Sequence, residues 1–322
     1  MIEALYTLSV AIPVTLSALG TSIGQGLIGK KALHALDIQP HASHEIRNAS
    51  LVGIAITETA AVLGLVVSIF LYHDLQIIPA NYYYASIARL GIGIAIGVTG
   101  LIAGITSSFP AQAACMSVSR QPFFSANIIN IMIMTQTVIM TPNLFGFIIA
   151  LFIRQKFVDI TNLTEALQLL TTGMVIGCGS IGPSIGLSLF TQGVCTAIGI
   201  NRKVYKQIVP FSFVGQAVIE TPIILSLVTA LFIINSTVTP PTDPAELTMQ
   251  AIIFIAATIC MVLSTTGTGV SAGKTGAQAC IQIGNNIEEY GKISQISFLC
   301  LAMIDTFAIF GFIVATMLLY TI

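Results

Sequence analysis

The sequence predicts an all-α membrane protein: eight transmembrane helices arranged as four tandem helical hairpins. Three observations carry this. The 322 residues are 55 % hydrophobic and only 8 % charged, against roughly 25 % charged in an average soluble domain. The apolar stretches exceed the ~20 residues that cross ~30 Å of hydrocarbon. The chain also repeats itself. Setting Gly64 over Gly146, Ser226 and Gly311 gives offsets of 82, 162 and 247 residues, which bring Gln39-Pro40 onto Gln121-Pro122 and Gly20 onto Gly182 and Gly267.

Fixed-period self-similarity marks a repeat architecture, and it divides the chain into units at 1–78, 79–160, 161–241 and 242–322. In each, two apolar stretches flank a short polar loop. Helices are expected at 3–36 and 46–73, 82–119 and 123–154, 163–199 and 204–235, and 245–285 and 291–320. Breakers fall between units: Asp74 and Pro79, Asp159 and Asn162, then Pro240, Pro241, Asp243 and Pro244. The opening Met-Ile-Glu carries an acid where a signal peptide has its basic region, so the apolar run from Ala4 to Gly29 reads as a first membrane helix.

Charge orients the bundle. Lys30, Lys31, Arg47, Arg120, Arg202, Lys203, Lys206 and Lys292 lie at the loops within hairpins, whereas Arg154, Lys156 and, deeper, Arg89 lie toward the other side. The positive-inside rule places the hairpin loops in the cytoplasm and both termini opposite. The first helix of each unit carries small residues at spacing four: Gly20 and Gly24, Gly93 and Gly97, Gly173 and Gly177, Gly182 and Gly186, Gly269 and Gly273. Such stripes let membrane helices approach closely, and predict a tightly packed inner layer.

Several chemistries are excluded. A net charge of -1 offers no basic face for nucleic acid. Cys115, Cys178, Cys195, Cys260, Cys280 and Cys300 lack metal-ligand spacing and read as small buried hydrophobes. His34, His41 and His44 occupy a loop and His73 ends a helix. The string Ser271 to Thr275, S-A-G-K-T, has Thr268 where a P-loop needs its first glycine. No enzyme site and no cofactor are expected.

What remains is a carboxylate, Glu58, in the middle of the uncharged run around I-T-E-T-A-A-V-L-G. The repeat register lines it up with Met140, Glu220 and Asp305, each followed by a threonine: Thr59, Thr141, Thr221 and Thr306. Ionised acids at bilayer depth cost several kcal/mol and mark functional sites. Three at one repeat position are far stronger than one.

With G-T-S-I-G-Q-G from Gly20 to Gly26, a polar loop ending in Gln39-Pro40, Glu58 beyond it, Arg120-Gln121-Pro122, and G-Q-A-V-I-E-T from Gly215 to Thr221, the chain resembles the proteolipid, or rotor-ring component, of F-type rotary ATP synthases. It does so over its whole length, as four fused hairpins. The resemblance implies a homo-oligomeric ring with first helices inside and second helices outside. Glu58, Glu220 and Asp305 would carry ions past an arginine of the stator a subunit while the ring turns through membrane lipid. Arg47, Arg120, Gln121, Pro122 and Arg202 would contact the central stalk of the catalytic head. The proteolipid itself would be non-catalytic.

A proton carrier needs only a carboxylate that stays neutral in lipid and ionises beside a cation. Sodium needs several oxygen ligands. In sodium-binding relatives these are a helix-one glutamine, the acid, the hydroxyl after it and a carbonyl two residues before it. Gln25, 33 residues before Glu58, and Thr59 fit a possible Na+ site in the first hairpin. The glutamine slot holds Ser107, Leu187 and Ala272 in the others, and the supporting tyrosine is replaced by Leu63, Leu225 and Phe310. Since all carriers pass one stator, the balance favours H+ over Na+.

Further expectations concern individual residues. Thr141, left without its own acid, completes the adjacent hairpin's site. Pro142 and Pro222 free the carbonyls of Val138 and Val218, four residues earlier, as ligands or as a mere kink. Met140 packs in a hairpin without a carrier, with Gln136 one turn earlier as a polar surrogate, and fewer carriers per turn suit ATP-driven pumping. Lys274 snorkels toward the cytoplasm or the ring interior; the alternative is a pair with Asp305. Rival readings are a vacuolar-type ATP-driven pump and, in another class, a stand-alone transporter or channel whose acids line a central pathway.

Overall fold

The computed structural model describes residues 2–77, 79–237 and 244–321. The expected breakers Pro240, Pro241 and Asp243, and the unit boundaries at 78 and at 241–242, lie outside the described residues. Eight helical spans are long and apolar enough to cross a membrane. Hairpin 1 comprises α1 (Ile2–Ile38) and α2 (Ser43–His73). Hairpin 2 has a first arm of α3 (Tyr82–Thr106) and α4 (Ser108–Arg120), and a second of α5 (Ser125–Ile139) and α6 (Thr141–Lys156). Hairpin 3 has α7 (Leu163–Gly179) and α8 (Ile181–Ile200), then α9 (Tyr205–Asn235). Hairpin 4 is α10 (Pro244–Asn285) and α11 (Tyr290–Leu319). In every hairpin a single 3-10 turn joins the arms.

Three arms expected to be continuous are broken, at Ser107, Met140 and Ser180. Proline supplies the reason. Pro110, Pro142 and Pro183 lack an N–H, so each withdraws a donor from the carbonyl four residues earlier and crowds it. Pro13 in α1 and Pro210 and Pro222 in α9 are accommodated without a break.

The first arms pack side by side in one layer: α1 against α3, α3–α4 against α7–α8, and α8 against α10. The second arms form the outer layer, each lodged between its own first arm and the next hairpin's: α2 against α3 and α4, α6 against α7, α9 against α10. The row does not close on itself, since α1 and α2 make no extended contact with α10 or α11.

The glycine stripes set the inner-layer spacing. A Cβ on Gly20 or Gly24 would overlap backbone at Leu101 or Gly104; one on Gly173, backbone at Gly91; one on Gly186, the Gly269 carbonyl; one on Gly273, backbone at Gly186. Without an apolar drive between helices in lipid, this close backbone approach supplies the packing energy. Gly26 and Gly267 have open space around them. By register they match Gly273 and Gly20, so the two ends of the row present unfilled copies of a contact that is filled inside it.

The distal ends are tied differently. Arg154 donates two bonds to the Asp74 carboxylate, at 2.6 and 2.7 Å. Arg89, 0 % exposed, gives one nitrogen to the Leu71 carbonyl at 2.7 Å and stacks on Tyr6, leaving Nε and Nη1 without partners. Its charge thus sits at the C-terminal end of α2, where helix carbonyls favour a cation.

Candidate functional site

The position shared by Glu58, Met140, Glu220 and Asp305 lies on the outer layer, on the side facing the preceding hairpin. Met140 shows this most plainly, packing with Ile56 and Ala60 of hairpin 1 and Ala103 of its own first arm. Glu220 is half-buried and has the Thr141 hydroxyl of hairpin 2 within side-chain hydrogen-bonding reach. Thr141 also donates to the Val138 carbonyl at 2.8 Å, the oxygen that Pro142 frees. The hydroxyl left over in the acid-free hairpin therefore stands beside the next hairpin's acid.

Asp305 is half-buried at the seam between hairpins 3 and 4 and makes no hydrogen bond or ion pair among the described residues. Glu58 is exposed, with no further hairpin packed against its side of α2. The two relevant hydroxyls elsewhere, Thr221 and Thr306, are half-buried and donate to Ala217 and Ala302 carbonyls at 3.1 and 3.0 Å. Thr59 donates to Ile56 at 2.8 Å.

Gln25 is half-buried and shares no hydrogen bond with Glu58. Ser107, in the same slot of hairpin 2, is fully buried and bonded to Thr57 Oγ1 at 3.0 Å. Leu187 is buried in the core, and Ala272 offers no ligand. No group of three or more metal-ligating His, Cys, Asp or Glu side chains exists among the described residues. Pro222 stays inside α9, and Val218 receives no side-chain donor.

Lys274 is exposed and forms no ion pair with Asp305; the ion pairs among the described residues are Arg154–Asp74 and Lys292–Glu289. Its register equivalents Phe109 and Leu189 are partly exposed on the inner layer, and Lys274 stands about 16 Å up α10 from the loop. The alternative of a Lys274–Asp305 pair is thus excluded. Nor do the acids surround a central conduit: Glu220 and Asp305 lie at outer-layer seams, and Glu58 is exposed on the outer layer.

At the opposite end from the Asp74 cluster, Arg120, Gln121, Pro122, Arg202, Lys203 and the exposed ring of Phe123 surround a shallow pocket of about 420 Å³. Gln121 ties the loops of hairpins 2 and 3 together by donating to Ile198 and Gly199 carbonyls at 3.1 and 3.0 Å. Arg47 is exposed at the start of α2.

Known proteins share parts of this sequence. The signature of the ATP synthase C subunit matches residues 8–71 and 255–318, the first and fourth hairpins. The ATP synthase c subunit of Chloroflexus aurantiacus is 36 % identical over 69 residues, 21 % of this chain and 91 % of that one. The chain belongs to the ATP synthase C-subunit family. It is accordingly an ion-translocating rotor proteolipid, a non-catalytic membrane component of the rotary ATPases. The family has two branches among the relatives. The ATP synthase c subunit of Mycoplasma mobile is 41 % identical over 56 residues, 17 % of this chain and 57 % of that one. The 16 kDa proteolipid c subunit of the V-type proton ATPase of Nephrops norvegicus is 25 % identical over 146 residues, 45 % of this chain and 87 % of that one.

The sequence missed the Thr57–Ser107 bond and the Arg89, Asp74 and Arg154 cluster. Arg89 was visible as a lone arginine in an apolar run. Which acid would pair with which arginine was not, because that depends on the side of each helix facing its neighbour.

Proposed function

We propose that this chain is the rotor-ring proteolipid of an F-type rotary ATP synthase or ATPase, that several copies close a ring head to tail, and that Glu58, Glu220 and Asp305 carry H+ past a stator a subunit. One observation carries the reading: Glu220 and Asp305 stand at seams between hairpins, Glu58 holds the same repeat position at the open end of the row, and the two ends of the row present complementary surfaces. By register, Gly267, Thr268 and Ser271 of one copy meet Leu19, Ser22 and Gly26 of the next, repeating the contact that Gly182, Pro183 and Gly186 make with Thr266, Gly269 and Gly273. The same docking sets Thr306 beside the next copy's Glu58, as Thr141 stands beside Glu220.

H+ is favoured over Na+ because the Glu220 and Asp305 seams have Leu187 and Ala272 where an amide ligand is needed. The loops around Arg47, Arg120, Gln121, Pro122 and Arg202 face the cytoplasm and grip the central stalk; the termini lie on the other side. A vacuolar-type pump is the second reading, favoured by the V-type relative's match across two successive hairpins and by the lost acid at Met140. The test of assembly is a disulfide cross-link between copies carrying Ser22→Cys and Thr268→Cys. A ladder of covalent oligomers is expected, and its absence from membranes in which the chain is folded would overturn the ring.

A further inference from the structure

Gln136 is fully buried, and its amide crosses the seam between hairpins 1 and 2. Nε2 donates to the Gly53 carbonyl of α2 at 3.2 Å and to the Ser107 carbonyl, at the break between α3 and α4, at 2.9 Å. The Gly53 bond crosses the seam, and the Ser107 bond, within hairpin 2, holds the amide against its own first arm. The Ser107 hydroxyl is held in turn by Thr57 of hairpin 1 at 3.0 Å. Oε1 has no partner.

Hairpin 3 carries a glutamine at the same register, Gln216, and there the amide does something else. It donates to the Ser212 carbonyl of its own helix at 3.0 Å and crosses to nothing. The difference follows the acid: hairpin 3 has Glu220 one turn on, whereas hairpin 2 has Met140.

We infer that the Gln136 amide is a fixed clamp that takes the place of a carried cation in the hairpin without an acid, holding the seam between hairpins 1 and 2 shut through the whole cycle. An amide NH2 presents partial positive charge to carbonyl oxygens, as a bound cation does, but is tethered and has no net charge. A bond from a buried amide is worth most where the alternative is unpaired polar groups, and here one bond spans the seam while the other fixes the amide that makes it. The seam with Glu220 must admit and release an ion. The clamped seam need not open, so hairpins 1 and 2 travel as one block. Gln136 is thus a positioning residue.

Titratable groups near the clamp are few. On α2, Glu58 follows Thr57 but is exposed on another face; on α4, Cys115 is buried two turns from Ser107; on α8, which packs against α5, the buried Cys195 thiol stands beside Thr135; Lys30 and Lys31 of α1 lie nearer the loop; α5 has no titratable side chain, and Arg89 of α3 is at the far end. Ionisation therefore leaves the clamp untouched.

The inference rests on Glu220 being a carrier, and hydrogen exchange separates the two ideas. The assembled protein in lipid discs is compared on the acid and alkaline sides of neutrality, after correction for intrinsic exchange. Amides of 107–111 and 132–140 report the clamped seam, and those of 213–221 the Glu220 seam. Protection of the clamped seam should not change with pH, protection of the Glu220 seam should fall when the acid ionises, and Gln136→Leu should speed exchange at 132–140 about thirtyfold, two hydrogen bonds being lost. Equal pH sensitivity of both seams in the unaltered protein, or no change with Gln136→Leu, overturns the clamp. A pH-insensitive Glu220 seam beside an unaltered clamped one overturns the carrier role of Glu220 and leaves the clamp standing.

Discussion

Replacing Thr141 by valine tests whether an acid-free hairpin still serves its neighbour. The change keeps the side-chain shape and removes one hydroxyl, which donates its proton to Val138 at 2.8 Å and stands beside Glu220, where its oxygen can accept from the protonated acid. A hydrogen bond of this kind contributes ~1 kcal/mol net, which corresponds to about fivefold in the step it governs. Glu58 and Asp305 are untouched. If the carriers of one chain are served in turn at similar rates, slowing one of the steps about fivefold lengthens the passage of a chain about twofold to threefold. ATP-driven acidification of membrane vesicles, normalised to assembled protein, measures this. Thr141→Ser, which restores the hydroxyl, should recover most of the rate. Unchanged pumping with Thr141→Val, or equal impairment by the serine variant, refutes the reasoning.

Three other outcomes are expected. Gly186→Ala forces a Cβ into the Gly269 carbonyl; overpacking of this sort costs roughly 1–3 kcal/mol, seen as a lower unfolding temperature in detergent. Gly26→Val meets open space within one chain, so it should leave the monomer's unfolding temperature unchanged while abolishing oligomers on native gels; oligomers of normal size would contradict the head-to-tail register. Arg89→Met removes a buried cation with two unpartnered nitrogens. Since replacing buried charge by apolar volume is often neutral or stabilising by ~1–4 kcal/mol, the melting temperature should hold or rise, and a marked fall would show that capping α2 outweighs desolvation.

Much of this was legible in the residues. Repeat register alone aligned Glu58, Glu220 and Asp305 and the threonines behind them. The glycine spacing of the first arms marked the inner layer, because a four-residue spacing puts small side chains on one face. The breaks at Ser107, Met140 and Ser180 were less legible. Proline weakens a helix wherever it falls, yet Pro222 is absorbed in α9 while Pro142 divides α5 from α6. The handedness of the row was also hidden: sequence offsets are the same whether an acid faces the hairpin before it or after it. Only the placement of Met140 against Ala60 and of Thr141 near Glu220 fixes that direction.

The most direct measurement is mass-spectrometric mapping of dicyclohexylcarbodiimide on the assembled protein, with and without Na+. Modification at Glu58, Glu220 and Asp305, loss of ion transport in proportion, and no protection by Na+ are expected for H+ carriers on three of four hairpins. Transport that survives full modification of these acids would contradict their role, and protection by sodium would make the carried ion Na+.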